Sequence, residues 1–244
     1  MQPNGNGSQA SGAGPQPSHS LLHRPLPTGR HALPADLVAE VQRIRLLEAM
    51  LRVVGEVGYA GTTVQLVLER AGTSRRVFYR HFGDKESCFL AAYDAGVAQV
   101  EQQVFAATAT AEGWRNRLRI GLAALLAFLD EEPEIGNALL VEVHAAGTEA
   151  LTRRMEAMTK CAAALDELAR GPEIDTPPVP SAITAEGVIG GVEQSLRARL
   201  RDGGGGFTSL LPDLMYVAVL SYLGPAAATE ELAAVPVGFE ADSV

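Results

Sequence analysis

Apolar residues in the N-terminal third recur at intervals of three and four positions, the spacing that places them on one face of an amphipathic helix. The series consists of Leu37, Val41, Ile44, Leu47, Leu51 and Val54. Gly58 follows within a turn, and a glycine in that place is typical of a left-handed helix cap. The pattern therefore predicts a first helix that ends at Gly58.

Two short helices are predicted next. Thr62 with Gln65 three residues later is a capping-box arrangement, which predicts a second helix that runs to Ala71 and is broken by Gly72. Residues 74–82 begin with a capping hydroxyl and carry apolar residues at helical spacing. They predict a third helix of about two turns.

The rest of the chain shows the same helical spacing. Asp84 is placed to cap a fourth helix that extends to about Ala107. Further helices are predicted at 114–130, 134–144, 148–169, 184–201 and 209–223, with breaks rich in Gly and Pro between them. Strand signals are absent from the sequence, so the predicted fold class is all-α.

Both ends of the chain are predicted to lack regular structure. Residues 1–32 are rich in Gly, Pro, Ser, Gln and Asn, so they cannot bury enough apolar surface to order themselves. Near its end this arm carries Arg24 and Arg30, which would either contact nucleic-acid phosphates or belong to a solvated linker. Residues 226–244 are predicted to form a loose tail.

Charge is distributed unevenly along the 244 residues, whose formal net charge is -9. Residues 30–86 carry nine Lys and Arg against seven Asp and Glu, whereas residues 87–244 carry ten against twenty-two. This asymmetry predicts a small N-terminal module, residues 33–86, that can approach a polyanion. Residues 87–225 would form a larger acidic domain that a polyanion repels.

The second and third predicted helices, separated by Gly72, Thr73 and Ser74, have the arrangement of a helix-turn-helix spanning about residues 63–82. In that motif the second helix enters the major groove with its N-terminal residues at the base edges. Arg75 and Arg76 stand there, and arginine donates two hydrogen bonds to guanine O6 and N7. The chemistry therefore suits direct readout of DNA sequence.

Neighbouring residues would hold the DNA backbone. Lys85, in the first turn of the next helix, is placed to meet a phosphate together with free backbone N–H groups. The predicted DNA-binding residues are Thr62, Thr63, Thr73, Ser74, Arg75, Arg76, Tyr79, Arg80, His81 and Lys85. In the opposing interpretation Thr62 only caps a helix, Tyr79 only packs, and the arginines form a solvated face.

The stretch GYAGTTVQLVLERAGTSRRVFYRHFGDKESCFLAAYDAG resembles the DNA-binding domain of TetR-family transcriptional regulators, and the resemblance covers about 41–96. It implies an all-α homodimer whose N-terminal helices bind operator DNA and whose C-terminal domain binds a small-molecule inducer. It also implies phosphate contacts for Thr63, Tyr79, His81 and Lys85. The run ending at Glu134 and residues 142–147 resemble an actinobacterial-type branch of the family.

That resemblance implies a largely apolar ligand cavity within the C-terminal helices. Aromatic and sulfur-containing side chains suit such an adaptable cavity. The candidate ligand-binding residues are Tyr93, Trp114, Phe128, His144, Met155 and Met158. In the opposing interpretation they are ordinary core residues, and His144 is a hydrogen-bonded structural histidine.

Two C-terminal segments are candidates for the dimer interface. Residues 184–201 contain Gly187, Gly190 and Gly191, which would let another helix approach closely, and residues 210–223 are strongly apolar. Two such helices per subunit would form a four-helix interface. In the opposing interpretation both helices pack only within their own subunit.

Several other classes of protein are not indicated. The sequence has no HExxH, Gly-x-Ser-x-Gly or Walker motif, so an enzyme is not expected. Cys88 and Cys161 predict neither a disulfide framework nor a metal site, and no cofactor is expected. Without a signal peptide or a membrane span, a cytoplasmic protein is expected. The rival function is a helical ligand-binding or protein-interaction module that does not bind DNA.

Overall fold

The computed structural model describes residues 35–169, 182–203 and 206–233, and every regular element within these ranges is helical. The α-helices are α1 (Ala35–Gly61), α2 (Val64–Ala71), α3 (Arg75–His81), α4 (Lys85–Thr108), α5 (Trp114–Glu131), α6 (Pro133–Leu140), α7 (Thr148–Ala169), α8 (Ala182–Arg201), α9 (Leu211–Leu223) and α10 (Pro225–Ala233). Two 3-10 helices occupy Glu142–Ala145 and Phe207–Leu210. The all-α prediction is confirmed. The predicted N-terminal arm lies outside the described residues.

The first helix does not end at Gly58, so that prediction was wrong. Gly58 has φ 77° and ψ 158°, which interrupts α1, and one more helical turn follows as far as Gly61. Positive φ is a region that glycine enters without steric cost. Gly58 therefore marks a kink in α1 and not its end.

The caps of α2 and α3 fix the corner between them. Thr63, with extended backbone, is the N-cap of α2, and its hydroxyl accepts a hydrogen bond from the Leu66 N–H at 3.3 Å. The N-cap of α2 is therefore one residue later than the predicted Thr62, whose hydroxyl donates to the Gly58 carbonyl of α1 instead. Gly72 ends α2 in the left-handed conformation, and Ser74 caps α3, as predicted.

Helix α4 begins at a well-formed cap. The Asp84 carboxylate accepts from the Ser87 N–H at 2.7 Å, and the Ser87 hydroxyl lies 3.1 Å from the Asp84 N–H, which completes a capping box. Backbone donation by Ser87 is the main cause that lowers the pKa of Asp84. The prediction that Asp84 caps a fourth helix is confirmed.

Two predicted boundaries in the C-terminal part were wrong. The segment predicted as one helix over 134–144 divides into α6 and the 3-10 helix Glu142–Ala145. The tail predicted to be loose from 226 onward instead continues as α10 as far as Ala233. Glu231 of α10 is buried and forms ion pairs with Arg115 and Arg119 of α5, which fixes α10 against the bundle. Residues 234–244 lie outside the described part.

One apolar core joins the N-terminal helices to the C-terminal body. It extends from Leu46 on α1 through Phe89 on α4 to Met215 on α9. Helix α1 packs so closely on α6 that a Cβ on Gly55 would lie 1.9 Å from the Glu134 carbonyl oxygen. Because α4 runs through the predicted domain boundary at residue 86, the two parts share both a helix and a core.

Candidate nucleic-acid interface and ligand site

Helix α3 presents one polar, basic face to solvent. Phe78 is fully buried at the centre of the helix and packs edge-on near Tyr79, with the ring centroids 5.3 Å apart. Anchoring α3 through Phe78 leaves Arg75, Arg76 and Arg80 exposed and Tyr79 55% exposed. These side chains are free to contact a polyanion.

The turn between α2 and α3 borders a shallow concavity of about 410 Å³. Gln65, Glu69, Gly72, Thr73 and Arg75 are among the residues that line it. Arg75 Nη2 lies 3.4 Å from the Gln65 side-chain oxygen, an exposed contact that other hydrogen-bond acceptors can replace. Ser74 is the N-cap of α3, and Thr73 directly precedes it.

The two predicted threonine anchors differ in position. Thr63 is exposed at the N-terminus of α2, where its hydroxyl also serves as the cap. Thr62 is 2% exposed, and its hydroxyl donates to the Gly58 carbonyl at 2.7 Å. The Thr62 side chain is therefore committed to the end of α1 and is not presented to solvent.

Lys85, predicted to contact phosphate, is engaged inside the chain. Its Nζ donates to the carbonyls of Tyr59 at 2.9 Å and Thr62 at 3.1 Å, and it lies 4.1 Å from the centre of the Tyr59 ring. Lys85 thus donates hydrogen bonds to carbonyls at the C-terminal end of α1, which lack partners within the helix. His81 is half-buried at the end of α3, and its Nε2 is buried with no hydrogen-bond partner among the described residues.

The end of α1 is also held from the C-terminal body. The Tyr59 N–H donates to Glu142 Oε2 at 2.8 Å, and Asn137 Nδ2 donates to the Gly55 carbonyl at 2.9 Å. Sequence patterns gave no indication of the Glu142 contact, because 83 residues separate the partners. The contact places the 3-10 helix Glu142–Ala145 against the end of α1, which leads into the helix-turn-helix.

Two of the predicted ligand-binding residues surround an ion pair in the body. Arg154 on α7 binds the Glu193 carboxylate on α8 through Nε, at 3.0 Å, and Nη2. Burial raises the pKa of Tyr93 to about 12, with Arg154 and Glu193 as charged neighbours. Burial also lowers the pKa of His144, reinforced by the nearby positive charge of Arg197. Tyr93 and His144 therefore share the Arg154–Glu193 neighbourhood.

The other four candidates differ widely in burial. Trp114 is buried against Tyr222, with ring centroids 5.7 Å apart, and Phe128 is a buried core residue. Met158 is half-buried, whereas Met155 is 64% exposed. Met155 therefore faces solvent on α7, and its assignment as a ligand-binding residue stays a prediction.

The small-residue face of α8 is open. Gly187, Gly190 and Gly191 are exposed, and a Cβ built on any of them would have no neighbour within 4 Å. On α9 the apolar side chains of Val217 and Leu220 are 43% and 39% exposed. Within the described residues, neither surface is covered by the chain itself.

These features define an all-α protein with a helix-turn-helix at its N-terminal end. Residues 46–92 match the family model described as bacterial regulatory proteins, tetR family. The match covers α2, α3 and the adjoining parts of α1 and α4, which is the region that carries the helix-turn-helix. The sequence resemblance to this family's DNA-binding domain is thereby supported over that region.

Curated relatives match the same end of the chain. The HTH-type transcriptional regulator BetI of Burkholderia thailandensis is 34% identical over 90 residues, covering 35% of this chain and 44% of BetI. The HTH-type transcriptional repressor AcnR of Corynebacterium efficiens is 40% identical over 62 residues, covering 25% of this chain and 33% of AcnR. The chain thus matches less than half the length of these relatives.

Solved structures extend the likeness to the whole fold. A TetR family transcription regulator from Marinobacter aquaeolei superposes with a TM-score of 0.60 at 23% identity, covering 77% of this chain and 98% of that chain. FadR from Bacillus subtilis, solved in complex with stearoyl-CoA, gives 0.64 at 16% identity, covering 74% and 98%. The fold is that of TetR-family regulators, with the larger helical domain following the helix-turn-helix.

The proteins named above are all described as transcriptional regulators or repressors. In the described ranges, no helix combines the length and the apolar character that crossing a bilayer would require. No group of three His, Cys, Asp or Glu side chains in the same ranges is arranged to hold a metal ion.

Proposed function

We propose that this protein is a dimeric, sequence-specific DNA-binding regulator, a repressor that a small and mostly apolar ligand releases from its operator. The single observation that carries the proposal is the face of α3. Buried Phe78 anchors the helix, while Arg75, Arg76 and Arg80 remain exposed beside an exposed tyrosine. The tetR family match over the same helices supports this interpretation.

The chemistry of this face divides into two kinds of contact. Arg75 and Arg76, in the first turn of α3, are placed for guanine edges in the major groove. Thr63, Tyr79 and Arg80 are exposed around them and are suited to phosphate oxygens, which position the protein without reading sequence. Lys85 would support this surface by fixing the end of α1.

A dimer would place two such faces on one DNA. The uncovered glycine face of α8 and the exposed apolar residues of α9 suit a four-helix interface with a second copy. Two recognition helices related by a two-fold axis would then match half-sites about 34 to 36 Å apart, or a multiple of that distance.

Ligand control would pass through the 3-10 helix Glu142–Ala145. This segment carries His144, near the Arg154–Glu193 pair, and Glu142, which accepts from the Tyr59 N–H at the end of α1. A ligand in the body that shifts this segment would therefore shift the end of α1. The FadR of similar fold holds stearoyl-CoA, which supports an apolar effector for this chain. The actinobacterial-type branch stays a prediction.

The proposal is tested by selecting DNA sequences that the full-length protein retains from a random pool, then measuring the affinity of variants for the selected site. Removing one base contact by Arg75→Ala or Arg76→Ala should cost about 1 to 3 kcal/mol and relax sequence preference at one position. Lys160→Ala, an exposed change on α7, is the matched control and should leave the affinity unchanged.

Failure to select any sequence, together with arginine variants that behave like the wild type, would contradict DNA recognition by α3. That outcome would favour the rival function of a helical ligand-binding or protein-interaction module.

A further inference from the structure

A series of side-chain hydrogen bonds crosses the corner of the helix-turn-helix from α2 to α3. Gln65 Nε2 donates to Glu69 Oε1 at 2.8 Å, one helical turn along α2. Arg75 Nη2 donates to the side-chain oxygen of the same glutamine at 3.4 Å. All three residues line the concavity of about 410 Å³ beside the turn. The series therefore joins a carboxylate on α2 to an arginine that is placed for base contact.

The Glu69 carboxylate fixes the orientation of the Gln65 amide. An ionised carboxylate accepts hydrogen bonds and cannot donate them, so the amide turns its NH₂ group toward Glu69. The amide oxygen then faces the guanidinium of Arg75, which donates and cannot accept. Without Glu69 the amide could turn over, and its NH₂ group would leave Arg75 without an acceptor. The carboxylate thus controls whether Arg75 is held.

Arg75 depends on this contact for its position. Within the described ranges its exposed side chain forms no ion pair, and the contact with Gln65 is the one hydrogen bond that restrains it. A long side chain that is restrained before binding loses less rotamer entropy at the interface. The guanidinium carries five N–H groups, so donors remain for guanine O6 and N7 while the side chain is held.

Attraction to a neighbouring cation does not explain the carboxylate of Glu69. Arg70, the next residue, is paired with Glu56 on α1. In the part of the chain that the structure describes, the Glu69 carboxylate bonds to Gln65 alone. A carboxylate on a face that meets phosphates lowers the affinity for DNA of any sequence. Orientation of Gln65 is the role that its contacts leave for it.

We propose that Glu69 is a positioning residue that, through Gln65, holds Arg75 in the orientation that reads a base pair. The assignment rests on the proposed DNA-binding function and adds to it a determinant of sequence preference that does not itself contact DNA. The negative charge lowers the affinity for all DNA, while the oriented arginine raises the preference for one base pair. Affinity and preference should therefore respond in opposite directions when Glu69 is replaced.

The experiment uses fluorescence anisotropy to measure binding of the full-length protein to its selected site, to duplexes that differ from that site by one base pair, and to a scrambled duplex. The position that Arg75 reads is the one at which Arg75→Ala relaxes the preference. Glu69→Ala should bind the scrambled duplex more tightly than the wild type, because a repulsive charge is lost. Its discrimination at the position that Arg75 reads should fall by about fivefold or more.

Two variants separate the hydrogen bond from the charge. Glu69→Gln loses the charge but keeps an oxygen that accepts from Gln65, so it should bind the scrambled duplex more tightly and retain discrimination to within about twofold of the wild type. Glu156→Ala removes the same charge from an exposed position on α7 and should change neither quantity. The melting temperature of Glu69→Ala should stay close to that of the wild type, because the position is exposed and alanine favours helix.

A double-variant cycle tests whether Glu69 acts through Arg75. When Glu69→Ala is added to Arg75→Ala, discrimination should change by less than about twofold, because no arginine remains to be held. Gln65→Ala should relax the preference at the same base pair as Glu69→Ala. Relaxation at a different base pair would show that Gln65 reads DNA itself, and it would overturn the assignment.

Three further results would overturn the assignment. These are unchanged discrimination in Glu69→Ala, an equal loss of discrimination in Glu69→Ala and Glu69→Gln, or sharper discrimination in Glu69→Ala, which would make Glu69 a competitor for Arg75. Each of these results comes from a protein that selects a DNA site, so the proposed function would stand. A protein that selects no site would contradict the proposed function, and the assignment would fall with it.

Discussion

The carboxylate of Glu142 accepts a hydrogen bond from the backbone N–H of Tyr59 at 2.8 Å, joining the C-terminal body to the helix that precedes the helix-turn-helix. The kink at Gly58 places the Tyr59 N–H within reach of this carboxylate. A Cβ on Gly58 would lie 3.2 Å from Glu142 Oε2, so glycine also provides the space. The kink at Gly58 and the carboxylate of Glu142 together fix the position of the last turn of α1.

Replacing Glu142 by alanine should destabilise the protein, because the half-buried Tyr59 N–H would lose its acceptor. The expected loss in the free energy of unfolding is about 1 to 3 kcal/mol, measured by urea denaturation. Glu142→Gln is the control, since its amide oxygen can still accept and should preserve most of the stability. An alanine variant as stable as the wild type would show that this hydrogen bond does not hold α1.

Lys85 should matter to folding as well as to DNA binding. Lys85→Met removes the donor to the Tyr59 and Thr62 carbonyls. The free energy of unfolding should therefore fall by about 1 to 3 kcal/mol, and the melting temperature should fall with it. Arg80→Met, at an exposed position of α3, should change stability by no more than about 0.5 kcal/mol. Similar melting temperatures for the two variants would count against a structural role for Lys85.

Local signals in the sequence were sufficient for most of the fold. Apolar spacing predicted the helices, and α7 begins and ends where it was expected. Short-range caps were also predictable, since Ser74 and Asp84 act on residues three positions away. The errors at Gly58 and Thr62 arose because one extra turn follows the kink, a detail that spacing alone does not encode.

Long-range contacts were not predictable in the same way. The sequence predicted that the arginines of α3 lie on an exposed face, as they do. It gave no sign that Lys85 would donate to the carbonyls at the end of α1. The loose tail predicted over 226–244 was wrong as far as Ala233. Burial of Glu231 between Arg115 and Arg119 stabilises α10 there, and that depends on residues more than a hundred positions away.

The glycine face of α8 should tolerate only small side chains if it forms the dimer. Gly190→Leu has open space within one chain and favours helix, so each subunit should fold while the dimer dissociates. Gly190→Ala is the conservative control and should remain dimeric. Sedimentation equilibrium measures both, and a Gly190→Leu dimer as tight as the wild type would exclude this face from the interface.

Stability at acid pH should depend on Asp130. Its carboxylate accepts from the backbone N–H groups of Phe207 at 2.8 Å and Thr208 at 3.0 Å. Burial alone would raise its pKa, but these hydrogen bonds outweigh burial, and the pKa lies below its ordinary value of 3.8. A lowered pKa stabilises the fold above 3.8, and this contribution is lost as the pH falls through the lowered pKa.

Asp130→Asn cannot titrate, so its free energy of unfolding should depend less on pH than that of the wild type below pH 3.8. At neutral pH the variant should be less stable by about 1 to 3 kcal/mol, because a charged acceptor of two N–H groups is lost. Urea denaturation on both sides of that pH measures the difference. Parallel pH profiles for the two proteins would show that Asp130 does not carry this dependence.

The central claim is that α3 reads DNA sequence. Fluorescence anisotropy with DNA flanking the protein's own gene and with a scrambled duplex, each at about 50 and 200 mM salt, tests it most directly. Preference for the flanking DNA by about a thousandfold or more, with affinity that falls steeply as salt rises, is the predicted result. Equal affinity for the two duplexes, or no binding to either, would contradict the account.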